Sequence, residues 1–504
     1  MMDFVSLLDQ QARSQPHKQA LRGAGRSWTY EELAQASRRA ASVLRAQGVQ
    51  AGDKVALLCL NTPGFVFALF GAWRLGAAVV PVNHKLQAPE IDYVLAHCGA
   101  RLCLVDGMLA PLVQRVSTPV TWLATDSAAP AMADFDALLE AAAPLAGDHT
   151  PASDTLAEVL YTSGTTGQPK GCLHSHANVF HAALCAAAST SLSHRERTLI
   201  AMPIWHSSPL NNWLLGTLLM GGTAVLLREY APQAFVDALV DERISFTFGA
   251  PIAFLAPLAV VPDIGSYDFS AMRLWAYGGG PLGADMAHKL ARSYRSDRFV
   301  QVYGMTESGP LGTVLHPEDG IAKAGSIGRM GVPGVAIELR RPDGRRCGAG
   351  EVGEIHMRSP AMMQGYLDNA QATAEAFDAR GWYRSGDLAR VDEDGFLFIV
   401  DRLRDMIITG GENVYSKEVE DALGAHPDVQ DVAVIGRPHA QWGETVVAVL
   451  VARPGRTLAP DELRSFLEGR LARYKIPRVF ELRDALPRTA TGKLLKHPLR
   501  APQA

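Results

Sequence analysis

The sequence predicts an α/β protein with a large N-terminal domain of α/β sheets and helices and a small α+β C-terminal domain. Short β-prone runs alternate with helical patterns through the first four hundred residues, and glycine or proline punctuates most strand ends. Such alternation favours largely parallel sheets. Near residue 400 the texture changes to tightly packed turns, strands and charged connections, which marks a boundary.

The expected strands are KVALLCL (Lys54–Leu60), AAVVPV (Ala77–Val82), ARLCLV (Ala100–Val105), GTAVLL (Gly222–Leu227), ISFTFGA (Ile244–Ala250), MRLWAYGG (Met272–Gly279) and RFVQVYG (Arg298–Gly304). In such folds ligands gather at the carboxyl ends of strands. The longest apolar stretch, Phe65 to Val82, is broken by Arg74 and changes period around Gly76. It therefore reads as a buried helix followed by a strand, not as a membrane span. The domains are placed at 1–401 and 402–504. The second contains DVAVIG, TVVAVLVA and the helical DELRSFLEGRLARY, enough for its own core.

The chain has 504 residues, 48% of them hydrophobic, which suffices for a large core. A net charge of −4 with scattered Lys and Arg disfavours nucleic acid as a partner. Six dispersed cysteines without CxxC spacing are expected to be reduced thiols. The N-terminus lacks a basic region followed by an apolar run, so the expected location is cytoplasmic. The oligomeric state is left open, a homodimer included.

Three segments carry candidate chemistry. YTSGTTGQPKG (Tyr161–Gly171) follows the apolar run LAEVLY. Its hydroxyls, its glycine N–H groups and Lys170 can form an anion cradle suited to phosphates. The same composition also suits a solvated turn. Its spacing is not that of the GxxxxGK[ST] loop. In AYGGGPLGADM, Gly278, Gly280 and Gly283 match GxGxxG, but no acidic residue closes the next strand, which disfavours a dinucleotide site. In VYGMTES (Val302–Ser308), Tyr303 can stack on a base, Thr306 bond a phosphate and Glu307 hold Mg²⁺.

With WYRSGDL (Trp382–Leu388), DRLRDMIITGGENVY (Asp401–Tyr415) and PRTATGKLLK (Pro487–Lys496) following in order, the chain resembles the adenylate-forming superfamily, most closely its acyl-CoA synthetases. The resemblance implies an acid–thiol ligase that makes acyl-AMP from MgATP and passes the acyl group to CoA. It assigns Thr162, Ser163, Gly164, Thr165, Thr166, Gly167 and Lys170 to the β,γ-phosphates. Tyr303 and the Gly278, Gly279 and Gly280 backbone would flank adenine, Thr306 would touch the α-phosphate, and Glu307 would bind magnesium. Asp387 would hold the ribose, with Arg402 beside it. Lys493 would bridge the carboxylate and the α-phosphate during adenylation. The small domain would then rotate about a hinge at Arg404, where relatives often carry Lys or Asp. That rotation would bring Gly410 and Gly411 to the CoA tunnel.

The acyl pocket is expected in PIWHSSPLNNWLLG (Pro203–Gly216) and FTFGAPIAFLAPLA, with Trp205, His206, Ser207 and Asn211 as its markers. His206 is read either as a packed aromatic or as a mobile gate. It is the one ionisable side chain of these segments, so a second carboxylate or an ammonium on the substrate would be buried without a partner. An apolar monocarboxylic acid, fatty or aromatic, remains. Ser207, Ser208, Asn211 and Asn212 stand available for a polar substituent. The histidines of HSHANVFH (His174, His176, His181) are read as surface groups of a helix, not as a zinc site. CoA is the favoured acceptor; a separate carrier protein is the alternative.

Overall fold

The computed structural model describes residues 2–500 except 128, 130, 148–149, 163–168, 281, 410–411, 440, 469 and 489–493. The chain divides into two compact units, Met1–Ile337 with Met357–Tyr383, and Glu338–His356 with Arg384–Ala504.

The first unit is built on two eight-stranded sheets. In one, Phe299–Gly304, Leu274–Gly278, Phe246–Gly249, Arg197–Ile200, Thr223–Leu226 and Gln19–Gly23 run parallel, with antiparallel strands at both edges. In the other, Leu156–Thr162, Ala78–Pro81, Lys54–Leu58, Leu102–Asp106, Thr121–Thr125 and Ala133–Asp134 are parallel. Lys170–Ser175 and Gly365–Tyr366 complete it in antiparallel pairing. Covered parallel strands are buried on both faces, which is why the runs are almost wholly apolar instead of alternating. Each strand anticipated above is present.

The apolar stretch beginning at Phe65 forms the helix Pro63–Arg74, every residue of which is buried, and then the strand Ala78–Pro81. Arg74 is tolerated inside because its guanidinium meets Asp9 at 2.6 Å and Ser37 at 2.8 Å. A buried cation needs that partner. Gly76, at φ +70°, makes the turn between helix and strand. No described helix is long and apolar enough to cross a membrane.

The second unit holds most of a four-stranded sheet formed by Ala336–Arg340, Val352–Arg358, Tyr383–Val391 and Leu397–Arg402. A five-stranded sheet follows, in which Val429–His439 and Gly443–Ala452 form a long antiparallel pair. The helices Ser416–Gly424 and Pro460–Leu467 supply Val419, Leu423, Leu463 and Leu467 to a core with Val434, Val446 and Leu450.

Candidate active site

The strands Leu156–Thr162 and Lys170–Ser175 pair in register, Tyr161 opposite Gly171 and Thr162 opposite Lys170. The two ends of the predicted phosphate loop therefore stand side by side. Ser163, Gly164, Thr165, Thr166 and Gly167 lie outside the described residues. Gly171 has no room for a side chain, since a Cβ there would fall 2.8 Å from Val159.

Lys170 projects its ammonium over the ring of Tyr366, 4.8 Å from the centroid. The Tyr366 hydroxyl in turn donates to Oε1 of Glu307 at 3.1 Å. Burial, with Glu307 as a second cause, holds that phenol well above its ordinary pKa, so it remains a donor. Glu307 lies in the short 3₁₀ turn Thr306–Ser308, and its carbonyl accepts from the Met363 N–H at 2.9 Å. Thr306 Oγ1 sits 3.1 Å from Ser207 Oγ.

This turn is enforced by glycines. A Cβ at Gly304 would fall 2.5 Å from the Pro310 carbonyl oxygen, and Gly309, at φ +73°, would place one 2.4 Å from that of Ala361. Tyr303 is the penultimate residue of the strand Phe299–Gly304 and follows Val302, which pairs with Gly278 at the carboxyl end of the neighbouring parallel strand. Gly279 and Gly280 follow with open space around them. That is where α/β sheets present ligand sites. Thr162, Lys170, Ser207, Thr306 and Glu307 are thus linked within the first unit, and Tyr303 with Gly278, Gly279 and Gly280 forms the adjoining strand ends.

Residues Ser208–Leu215 form a π-helix, all of it buried. Trp205 packs its ring at 5.8 Å from that of His206 and at 6.3 Å from that of His84. Burial lowers the His84 pKa to about 4. The hydroxyls and amide donors of the segment make hydrogen bonds within the protein. Ser207 is at Thr306, and Ser208 accepts from Trp213 Nε1 at 3.1 Å. Asn211 donates to Glu158 at 2.6 Å, and Asn212 donates to the Pro310 carbonyl at 3.1 Å. Trp213 stacks on Phe248 with ring centroids 5.5 Å apart.

In the second unit Asp387 is buried and paired with Arg402 at 2.8 Å, the two residues facing each other across adjacent strands. Ser385 accepts from the Asp387 N–H at 3.0 Å. Arg404 lies just beyond that strand, and its carbonyl accepts from Arg500 at 2.9 Å. Gly410, Gly411 and Lys493 are outside the described residues.

Sequence reasoning missed two residues. Tyr366 lies far along the chain from both Lys170 and Glu307, and its only trace is an aromatic in GYLDN. Glu158 was visible as the single acid in LAEVLY. The histidine reading also needs correction: His174 and His176 are buried, and desolvation lowers both pKa values to about 4. His174 lies in the strand, where its face is covered, and His176 opens the helix against Trp73 at 5.4 Å.

Residues 8–367 match the AMP-binding enzyme family, and 418–493 match the AMP-binding enzyme C-terminal domain. A feruloyl-CoA synthase of Amycolatopsis sp is 39% identical over 97% of this chain and 96% of its own. A long-chain-fatty-acid–CoA ligase of Mycobacterium tuberculosis is 35% identical over 94% and 92%. The solved o-succinylbenzoate CoA synthetase of Bacillus subtilis, in complex with its acyl-adenylate intermediate, aligns with a TM-score of 0.87 at 31% identity, covering 99% of this chain and 98% of that one. The chain belongs to the AMP-binding enzyme family. It is an ATP-dependent, AMP-forming acid–CoA ligase.

Proposed function

We propose that the acid is an apolar monocarboxylate, aromatic or fatty. The observation that carries this is that the buried acyl-wall helix holds no charged side chain and turns its amide donors inward, Asn211 to Glu158 and Asn212 to Pro310, beside the apolar Leu210, Leu214 and Leu215. A charged substituent placed against them would lose its hydration without a partner. The activity named for the feruloyl and long-chain-fatty-acid relatives supports the same class.

In the first step a carboxylate oxygen of the substrate attacks the α-phosphorus of ATP, and the bond to pyrophosphate breaks. Negative charge grows at the phosphates, so fixed donors lower the barrier. Thr162, Lys170 and the loop between them, Ser163, Gly164, Thr165, Thr166 and Gly167, supply those donors, and Thr306 presents its hydroxyl to the α-phosphate. Glu307, a hard oxygen donor, suits Mg²⁺, which would neutralise phosphate charge when bound. Tyr303 with Gly278, Gly279 and Gly280 flanks adenine, and Asp387 accepts from the ribose hydroxyls, oriented by Arg402. Lys493 steadies the attacking carboxylate.

In the second step the CoA sulfur attacks the acyl carbon and AMP leaves. Residues 402–504 rotate about Arg404 between the steps, withdrawing Lys493 and bringing Gly410 and Gly411 to the thiol tunnel. Acid-dependent exchange of pyrophosphate into ATP across a panel of apolar, dicarboxylic and amino acids tests the substrate class. Exchange with phenylpropenoic or fatty acids is expected, and exchange confined to dicarboxylic or amino acids would overturn it.

A further inference from the structure

Glu158 takes no part in the chemistry above, yet its side chain is wholly buried in the strand that ends at Thr162. Three other buried carboxylates have a cation: Asp106 meets Arg228 at 2.7 Å, Glu196 meets Arg273 at 2.7 Å, and Asp387 meets Arg402. Glu158 has no ion-pair partner among the described residues. Its Oε1 accepts from Asn211 Nδ2 at 2.6 Å, while its Oε2 and the Asn211 Oδ1 have no partner among the described residues. Two buried acceptors left over on one acid–amide pair are what a single carboxyl proton would serve. Burial raises the Glu158 pKa to about 7, in keeping with a neutral acid.

Asn211 lies within the π-helix Ser208–Leu215. A π-helix is rare and frequently lies at a functional site. Here Asn212 ties it to Pro310, the preceding Ser207 meets Thr306, and Asn211 ties it to Glu158. The bland role for Glu158 is general core stability, which would weaken every substrate's binding alike.

We propose that Glu158 is a positioning residue that, through Asn211, fixes the acyl-wall helix to the strand feeding the phosphate loop. The inference rests on the acyl-site reading of that helix. Loosening the link frees the acyl wall from the strand, while Lys170, Tyr366 and Glu307 keep their own contacts.

The test compares wild type, Glu158→Ala and Glu158→Gln in pyrophosphate exchange, with KM measured separately for the acid and for ATP. Loss of one buried hydrogen bond is expected to raise KM for the acid about tenfold in Glu158→Ala, with KM for ATP within about twofold of wild type. Glu158→Gln, a neutral donor and acceptor of nearly the same shape, is expected to restore the wild-type value. Should Glu158→Ala not fold, Asn211→Ala removes the same hydrogen bond and is expected to show the same split. An unchanged acid KM, equal rises in both KM values, or a Gln variant as poor as Ala would overturn the proposal. Wild type exchanging with no acid at all would overturn the acyl-site reading, and the proposal with it.

Discussion

The hydroxyl of Tyr366 donates to the carboxylate of Glu307 across 3.1 Å, and the same ring carries the Lys170 ammonium on its face at 4.8 Å. One side chain thereby links the lysine that closes the phosphate loop to the acid assigned to magnesium. Tyr366→Phe keeps the ring and loses the hydrogen bond. Adenylation is expected to slow about tenfold, with more Mg²⁺ needed for half-maximal rate. Exchange rates titrated with Mg²⁺ check this; an unaltered Mg²⁺ curve would contradict the link.

Lys493→Ala is expected to slow adenylation by about 10² to 10³ while sparing thioester formation from supplied acyl-adenylate. Gly411→Leu is expected to do the reverse, harming the thiol step more than pyrophosphate release. Single-turnover assays of each half-reaction read both. Equal loss of both steps in either variant would contradict the rotating-domain account.

Asp387 faces Arg402 across adjacent strands at 2.8 Å. Asp387→Asn removes the charge and keeps the shape. KM for ATP is expected to rise about 10- to 100-fold, the range for hydrogen bonds to a charged group, with KM for the acid little changed. Initial-rate kinetics with each substrate varied in turn separate the two.

Glu158 also ties stability to pH. Its carboxyl is raised by burial from 4.5 to about 7, so between those values the unfolded chain binds fewer protons than the native one. Stability contributed by this group therefore falls as pH rises through that window, by about 3 kcal/mol in all. His174, in the paired strand, works oppositely: burial lowers its pKa from 6.5 to about 4, and its contribution is lost as pH falls. The difference between wild type and Glu158→Gln isolates the acid. Urea unfolding at pH 5 and pH 8 is expected to show the Gln variant gaining on wild type at the higher pH.

Much of this was legible because the parallel strands are nearly pure apolar runs, and because Gly304, Gly309 and Gly171 mark close approaches that only glycine permits. Arg74 within an apolar helix was readable as an argument against a membrane span, but its partner Asp9 was not, since that contact joins distant parts of the chain. The same limit hid Tyr366. Asn211 and Asn212 read as polar groups facing a substrate because sequence shows a residue's chemistry, not its direction. Their donors turn inward to Glu158 and Pro310. His174 and His176 misled for the same reason, since a polar side chain in a strand or helix can face the core.

The most direct test is mass spectrometry of the enzyme with MgATP, CoA and a mixed panel of fatty, aromatic, dicarboxylic and amino acids, scoring acyl-AMP and acyl-CoA together. The account predicts acyl-CoA from an apolar monocarboxylic acid, with AMP formed in equal amount. Acyl-AMP accumulating with no thioester, or products from dicarboxylic or amino acids alone, would contradict it.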